Sequence, residues 1–256
     1  MATFLRLRWI AVHLVVVALA VTFVSLGFWQ LRRLDERRAD NALIQTNMAP
    51  APAPLAATLE RFGQDPDALR YRRVVIEGEY RPAHEVVLTP RSHDGRPGHD
   101  VVTPLVLEDG DAVLVDRGWV PFEYDDPPVI AAAPPPGPVR VTGILLPTQT
   151  AARAGAADSS TDRLTFLSSV DVDRLQPQIP LPLLPFSVQL VQQEPPADGL
   201  PAPAPLPEVS EGSHLSYAWQ WFFFTAILLI GYPLLLRRSL SFATDDSRSS
   251  SASGSD

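Results

Sequence analysis

Cysteine is absent from the 256 residues. That removes disulfides, thiol nucleophiles, cysteine-based zinc and iron–sulfur sites, and Cys-x-x-Cys-His haem attachment in one step. Methionine is confined to Met1 and Met48, so the soft ligands a copper carrier needs are missing as well. Lysine is also lacking, and all 21 basic residues are Arg, which we read as compositional bias and not as mechanism. Acidic residues outnumber them, 29 to 21, for a net charge of −8. Bulk nucleic-acid binding needs a basic face and is excluded on that ground. No phosphate-binding loop, dinucleotide glycine fingerprint or Gly-x-Ser-x-Gly elbow is found, and the carboxylates show no pairing that singles out a nucleophile and base. No internal repeat is apparent.

What the chain does contain is apolar sequence concentrated near its two ends. Ile10 to Phe28 is broken only by His13, Thr22, Ser25 and Gly27. As a helix it covers about 28 Å, close to the roughly 30 Å hydrocarbon core of a bilayer. Leu215 to Leu236 is a second run, with its polar members Ser216, Tyr217 and Gln220 near its start. Both read as transmembrane helices, because a helix satisfies every backbone amide within the segment. A cleaved signal peptide, with Arg6 and Arg8 ahead of Ala18-Leu19-Ala20, is the alternative for the first run. Apolar character that continues to Phe28 favours an uncleaved anchor.

Arginine placement predicts the orientation. Arg237 and Arg238 follow the second run, whereas no Arg precedes it back to Arg174. Both termini are then cytoplasmic in a cell-membrane protein with two spans. Arg32, Arg33, Arg37 and Arg38 conflict locally, and Asp35, Glu36 and Asp40 partly offset them. The predicted order is a cytoplasmic start (1–9), a first span (10–29) and a juxtamembrane helix (30–49). A β-rich extracytoplasmic domain (50–194), a proline-rich linker (195–213), a second span (214–236) and a disordered cytoplasmic tail (237–256) follow.

Within the central domain, strands are predicted at Tyr71–Tyr80, Glu85–Thr89, Val101–Leu107, Ala112–Val120, Val139–Leu145 and Ser187–Val191. Glu108-Asp109-Gly110-Asp111 between two apolar runs signals a hairpin. Val170–Leu175 is a candidate short helix. Pro134–Pro138 and Pro195–Pro207 read as linkers. The fold class expected is therefore an α+β membrane protein: two transmembrane helices flanking an antiparallel sheet or partly closed barrel.

Histidines supply the candidate chemistry. His84, His93 and His99 fall in one strand–loop–strand region with Asp94 and Asp100. A hard or borderline metal site is conceivable there, but a solvated loop between two strands is the preferred reading. His13 lies one turn inside the first span, where an interfacial histidine is the plainer interpretation. His214 opens the second span. At 100° per residue, His214, Tyr217, Ala218, Trp221 and Thr225 share one direction. Such a face could present imidazole to iron and aromatics to a flat macrocycle. Trp29 and Gln30, where the first span ends, are expected at the same depth. An ordinary interfacial belt of Trp and Tyr accounts for these residues too.

Four blocks also carry a resemblance. Gly27-Phe28-Trp29-Gln30-Leu31-Arg32-Arg33-Leu34 resembles the segment closing the first span in the surfeit locus protein 1 family. Tyr71-Arg72-Arg73-Val74 through Gly78-Glu79-Tyr80 is similar to its first strand. Thr103-Pro104-Leu105 and Val113-Leu114-Val115-Asp116-Arg117-Gly118-Trp119-Val120-Pro121 resemble its central block. His214-Leu215-Ser216-Tyr217-Ala218-Trp219-Gln220-Trp221-Phe222 resembles its motif at the second span. The blocks occur in the family's order over residues 27 to 222. Ser213 stands where the family often has Asn, and His99 where an aromatic is frequent.

The resemblance implies a non-enzymatic membrane assembly factor for haem–copper cytochrome c oxidase, one that helps place haem a into the catalytic subunit. It implies that His214 is the haem ligand, with Trp29, Gln30, Tyr217 and Trp221 around the ring. Arg117 could pair with a propionate, since Arg recognises carboxylates bidentately. A structural role for Arg117-Gly118-Trp119, with Gly118 at a bulge and Trp119 covering the sheet, is the competing reading. The implied partners are the oxidase catalytic subunit, haem a synthase and the lipid bilayer. A membrane-anchored scaffold that stabilises the nascent oxidase without touching haem is the alternative.

Overall fold

Nothing between Leu7 and Met48 stops a helix, and helix α1 (Leu7–Met48) runs through all 42 residues until Pro50, Pro52 and Pro54 forbid its continuation. The computed structural model describes residues 7–149, 163–197 and 199–252. Arg6, part of the expected positive start, and residues 253–256 of the expected tail lie outside them. Contacts divide the chain into two units, Met1–Ala42 with Val209–Asp256, and Leu43–Glu208.

The first unit pairs α1 with helix α5 (His214–Ala252). Contacts descend along one helix as they ascend along the other, so the two are antiparallel. Arg38 meets Glu211, Gln30 meets His214, Phe28 meets Phe222, Phe23 meets Trp221 and His13 meets Tyr232. Both helices are long and apolar enough to cross a membrane, with mean hydropathy of 2.5 and 1.6 over their most apolar windows. Leu14, Val15, Val17, Phe223, Ile230 and Leu235 are each more than half exposed. An apolar surface of that extent needs apolar surroundings. The tail expected to lack order from residue 237 is instead helical to Ala252. Between Pro233 and Gly254 there is neither Gly nor Pro to end the helix.

The second unit is built on eight strands. Short strand β1 (Ala53–Pro54) and helices α2 (Leu55–Phe62) and α3 (Pro66–Leu69) precede β2 (Arg73–Tyr80). Then come β3 (Val86–His93), β4 (Arg96–Val106), β5 (Ala112–Pro121), β6 (Pro138–Pro147), β7 (Phe166–Leu167), helix α4 (Val172–Leu175) and β8 (Leu183–Glu194). The order β1-β2-β6-β8-β5-β4-β3-β7 is closed by an additional β2–β4 pairing through Tyr80 and Leu105. Five strands, β2-β6-β8-β5-β4, thus form a ring. The sheet is mixed and not purely antiparallel: β1–β2, β3–β7 and β5–β8 are parallel pairs. Sequence alternation marks which face of a strand is buried but carries no information on the direction of its neighbour, which is why the antiparallel alternative fails here.

Val74, Ile76, Leu105, Val113, Val141, Phe186 and Val188 pack together inside the ring. A second cluster joins Val86, Leu88 and Val102 to Val172 and Leu175 of α4. The predicted hairpin at Glu108–Asp111 is present, with Gly110 at φ 92° and its N–H donating to Leu107 O at 3.1 Å. The strand–loop–strand region of the three histidines is instead a long hairpin. Asp94 and Gly95, both at positive φ, form its two-residue turn, so β3 and β4 pair from His93↔Arg96 onward. Asp-Gly is the strongest such signal, and it places His93 and His99 on strands rather than in solvated loop. The Pro195–Pro207 segment is likewise more than a linker. Ala202 exchanges two 2.7 Å backbone hydrogen bonds with Trp119, and Gln189 Nε2 donates to Pro205 O at 2.8 Å. We refer to this segment as the strap.

Candidate functional site

Two places concentrate the residues singled out by sequence, one in each unit. In the helix pair, the first turn of α5 carries His214 and α1 carries Gln30. Gln30 Oε1 lies 2.9 Å from His214 Nδ1. A carboxamide oxygen only accepts, so the contact selects the Nδ1–H tautomer, which in the neutral ring leaves the lone pair on Nε2. This is the arrangement that orients metal-binding histidines: one ring nitrogen held by an acceptor, the other presented to the metal. A Cβ at Gly212, which has φ 63°, would come to 3.7 Å from Nε2. Glycine leaves that side of the ring clear.

Trp29 and Tyr217 are near one-half exposed, at 46% and 49%. Trp221 and Ala218 behave differently. Ala218 is buried, Thr225 nearly so, and Trp221 packs on Phe23 at 5.5 Å between ring centroids. The face expected to receive a macrocycle over Ala218 is therefore the face that packs on α1. Gly27 explains the close approach: a Cβ there would stand 2.5 Å from the ring of Phe222. Just beyond the apolar run, Arg38 forks onto Glu211 at 2.8 and 3.1 Å. That hydrogen-bonded contact holds the Glu211 carboxyl below its ordinary range. The tie was not foreseen from sequence, since 173 residues separate the pair.

At the opposite end of the same helices, the Tyr232 hydroxyl and His13 Nδ1 are hydrogen-bonded, with Trp9 near the imidazole at 6.4 Å. His13 is thus partnered across the helices. Its partner lies 219 residues away in sequence.

In the ring, Arg117 is 1% exposed. The β4–β5 register passes from Val101↔Gly118 to Val102↔Asp116, leaving Arg117 as the extra residue of a bulge. Gly118 has φ 118°, and a Cβ there would stand 2.2 Å from Ala202 O. Trp119 is buried and stacks on His93 at 5.4 Å. The bulge and the covering tryptophan are as the structural reading of this motif expects. Arg117 Nη1 reaches Glu85 Oε2 at 3.5 Å. Glu85 also accepts from Thr103 Oγ1 at 2.7 Å and from the Val129 N–H at 2.7 Å. Burial pushes the Glu85 carboxyl up and the Arg117 guanidinium down. Burial also pushes Tyr80 up to about 12, with Arg117 acting against it.

The histidine-rich hairpin holds no metal set: among the described residues no three His, Cys, Asp or Glu are placed to share an ion. His99 is buried against Phe122 and Phe166, and Asp100 pairs with Arg91 at 3.0 Å. Burial and then the Asp100 charge push Asp116 up to about 7.

The SURF1 family matches residues 17–226, which takes in most of α1, the whole ring and the first part of α5. An uncharacterized SURF1-like protein of Mycobacterium bovis is 29% identical over 239 residues, covering 90% of this chain and 84% of the relative. A SURF1-like protein of Rickettsia felis is 25% identical over 233 residues, covering 90% and 98%. The cytochrome oxidase assembly protein SHY1 of Saccharomyces cerevisiae is 31% identical over 110 residues, 41% of this chain and 27% of the yeast protein. With the ring and the facing parts of both helices inside the matched span, the chain belongs to the SURF1 family.

Proposed function

We propose that this chain is a membrane-anchored assembly factor for haem–copper cytochrome c oxidase that holds haem a for transfer to the catalytic subunit. The oxidase part of this reading draws on family membership and on the name of the yeast relative. The haem part rests on one observation, the Gln30 hydrogen bond to His214 Nδ1. Haem iron accepts a neutral imidazole nitrogen as axial ligand. His214 would supply it through Nε2. Gln30 would fix the tautomer and ring plane, while the exposed rings of Trp29 and Tyr217 flank the approach. Ligation by one residue suits a carrier, because cargo held weakly is released. Both helices would span the bilayer with both termini in the cytoplasm. The ring domain would stand outside and dock the oxidase subunit or the haem a synthase.

The test is to purify the chain from cells making haem a and record its absorption spectrum. The wild type should carry haem; His214→Ala should lose it. A scaffold without haem is supported by the same hydrogen bond, since it also ties two helices together. That reading takes over if the wild type is colourless, or if His214→Ala restores full oxidase activity to a deletion strain.

A further inference from the structure

We propose that the end of the ring formed by Tyr80, Arg117 and Gln193 is a carboxylate-binding site beneath the strap. Strands β2, β5 and β8 run in the same direction, so their carboxyl-terminal ends bring these three residues to one place. Arg117 stands 5.3 Å over the Tyr80 ring, and the Tyr80 hydroxyl donates to Gln193 Oε1 at 3.1 Å. That bond turns the Gln193 amide so that Nε2 is the free end. Nε2 is buried and has no hydrogen-bond partner. Arg117 Nε and Nη2 are also buried and without partner.

These two nitrogens form the edge of a guanidinium that grips both oxygens of a carboxylate. The chain uses that same edge where Arg38 holds Glu211. Glu85, the acid nearest Arg117, already accepts from Thr103 and Val129 and meets only Nη1. Three buried donors on two residues that line one cavity are therefore left with no acceptor. A water would bring protons of its own that need acceptors. A carboxylate brings acceptors only.

A cavity of about 250 Å³ adjoins the spot, walled by Arg117, Gln193, Pro196, Gly199, Pro201 and Pro203. It has room for a short carboxylic acid or for the acid-bearing arm of a larger molecule. The guanidinium is sealed from solvent, so entry takes a shift of the strap. Its closure at Trp119 and Ala202 consists of two hydrogen bonds, and Gly118 gives it its seat.

The experiment is thermal unfolding of the purified full chain in detergent, with sodium propionate against sodium chloride at equal ionic strength. Gln193→Glu keeps the acceptor for Tyr80 and places an internal carboxylate beside the fork. Gln193→Leu removes the donor and serves if the first variant does not fold. Propionate should raise the wild-type Tm by 2 °C or more and leave Gln193→Glu unmoved, with Gln193→Leu responding at most half as much. In the His214→Ala background, haemin compared with its dimethyl ester separates a porphyrin acid arm from a free acid. Either source acting through Gln193 supports the site. His214→Ala should respond to propionate as the wild type does, which separates this result from the reading at His214. No response to propionate or haemin, or an equal response in Gln193→Glu, overturns the site.

Discussion

Replacing Gly118 by Ala tests how the strap is seated. The glycine has φ 118°, and the added Cβ would stand 2.2 Å from the carbonyl oxygen of Ala202. Holding a non-glycine residue at such a φ costs about 1–3 kcal/mol. The clash is with backbone, and a Cβ has no rotamer by which to turn away. Either β5 or the strap must move, and the two Trp119–Ala202 hydrogen bonds go with it. At about 1 kcal/mol each, they bring the total to roughly 3–5 kcal/mol. For a domain of this size that lowers Tm by roughly 6–20 °C. Gly110→Ala is the control: its φ is 92°, but nothing lies within 4 Å of the added Cβ. It carries the backbone strain without the clash. Far-UV circular dichroism melts of both variants in the same detergent measure the difference. Equal losses in the two, or a loss under about 1 kcal/mol in Gly118→Ala, would refute the argument.

Other expectations follow from the same structure. Arg117→Met leaves Glu85 buried without its cation and should cost about 3–5 kcal/mol, part of it recovered in the double variant with Glu85→Gln, whose amide oxygen still accepts from the Val129 N–H; urea titration of the four proteins measures the coupling. Asp116 holds its proton up to about pH 7 when folded, against 3.8 ordinarily. The folded form therefore binds a proton that the unfolded form releases, and stability should fall as pH rises from about 4 to 7. Asp116→Asn should flatten that slope in Tm, and a slope unchanged by the substitution would remove Asp116 as its cause. Gln30→Leu should weaken haem binding by about 10–100-fold while leaving the imidazole in place, as loss of an orienting partner does; titration of the haem absorbance reads it directly.

The parts of this molecule that were legible in sequence are those that local chemistry decides. Apolar length marked both helices, and Pro50 marked where α1 ends. Alternation marked the central strands, and Gly110 marked a turn. His214 and Gln30 could be set at one level because rise per residue fixes depth. What sequence could not carry was pairing over distance. The parallel β5–β8 contact, the closure of the ring at Tyr80 and Leu105, and the grip of Arg38 on Glu211 all depend on partners far along the chain. Asp94-Gly95 was readable as a tight turn, yet the histidines around it suggested a loop. Ala218 looked like space for a ligand because a helical wheel shows a face without showing what lies against it; α1 lies there. Arg117 drew attention as a partner for a propionate and proved to be buried, because the bulge that turns it inward is a property of two strands together.

The helix pair is pinned by polar rungs at both ends of its apolar stretch: Gln30 with His214, and His13 with Tyr232. The rungs are 17 residues apart on α1 and 18 on α5, about 26 Å by the helical rise. Sliding one helix by a single turn, about 5.4 Å, would undo both together and leave four polar groups without their partners. The pair consequently has a single setting along its length at which both rungs close, like a bolt caught at two holes.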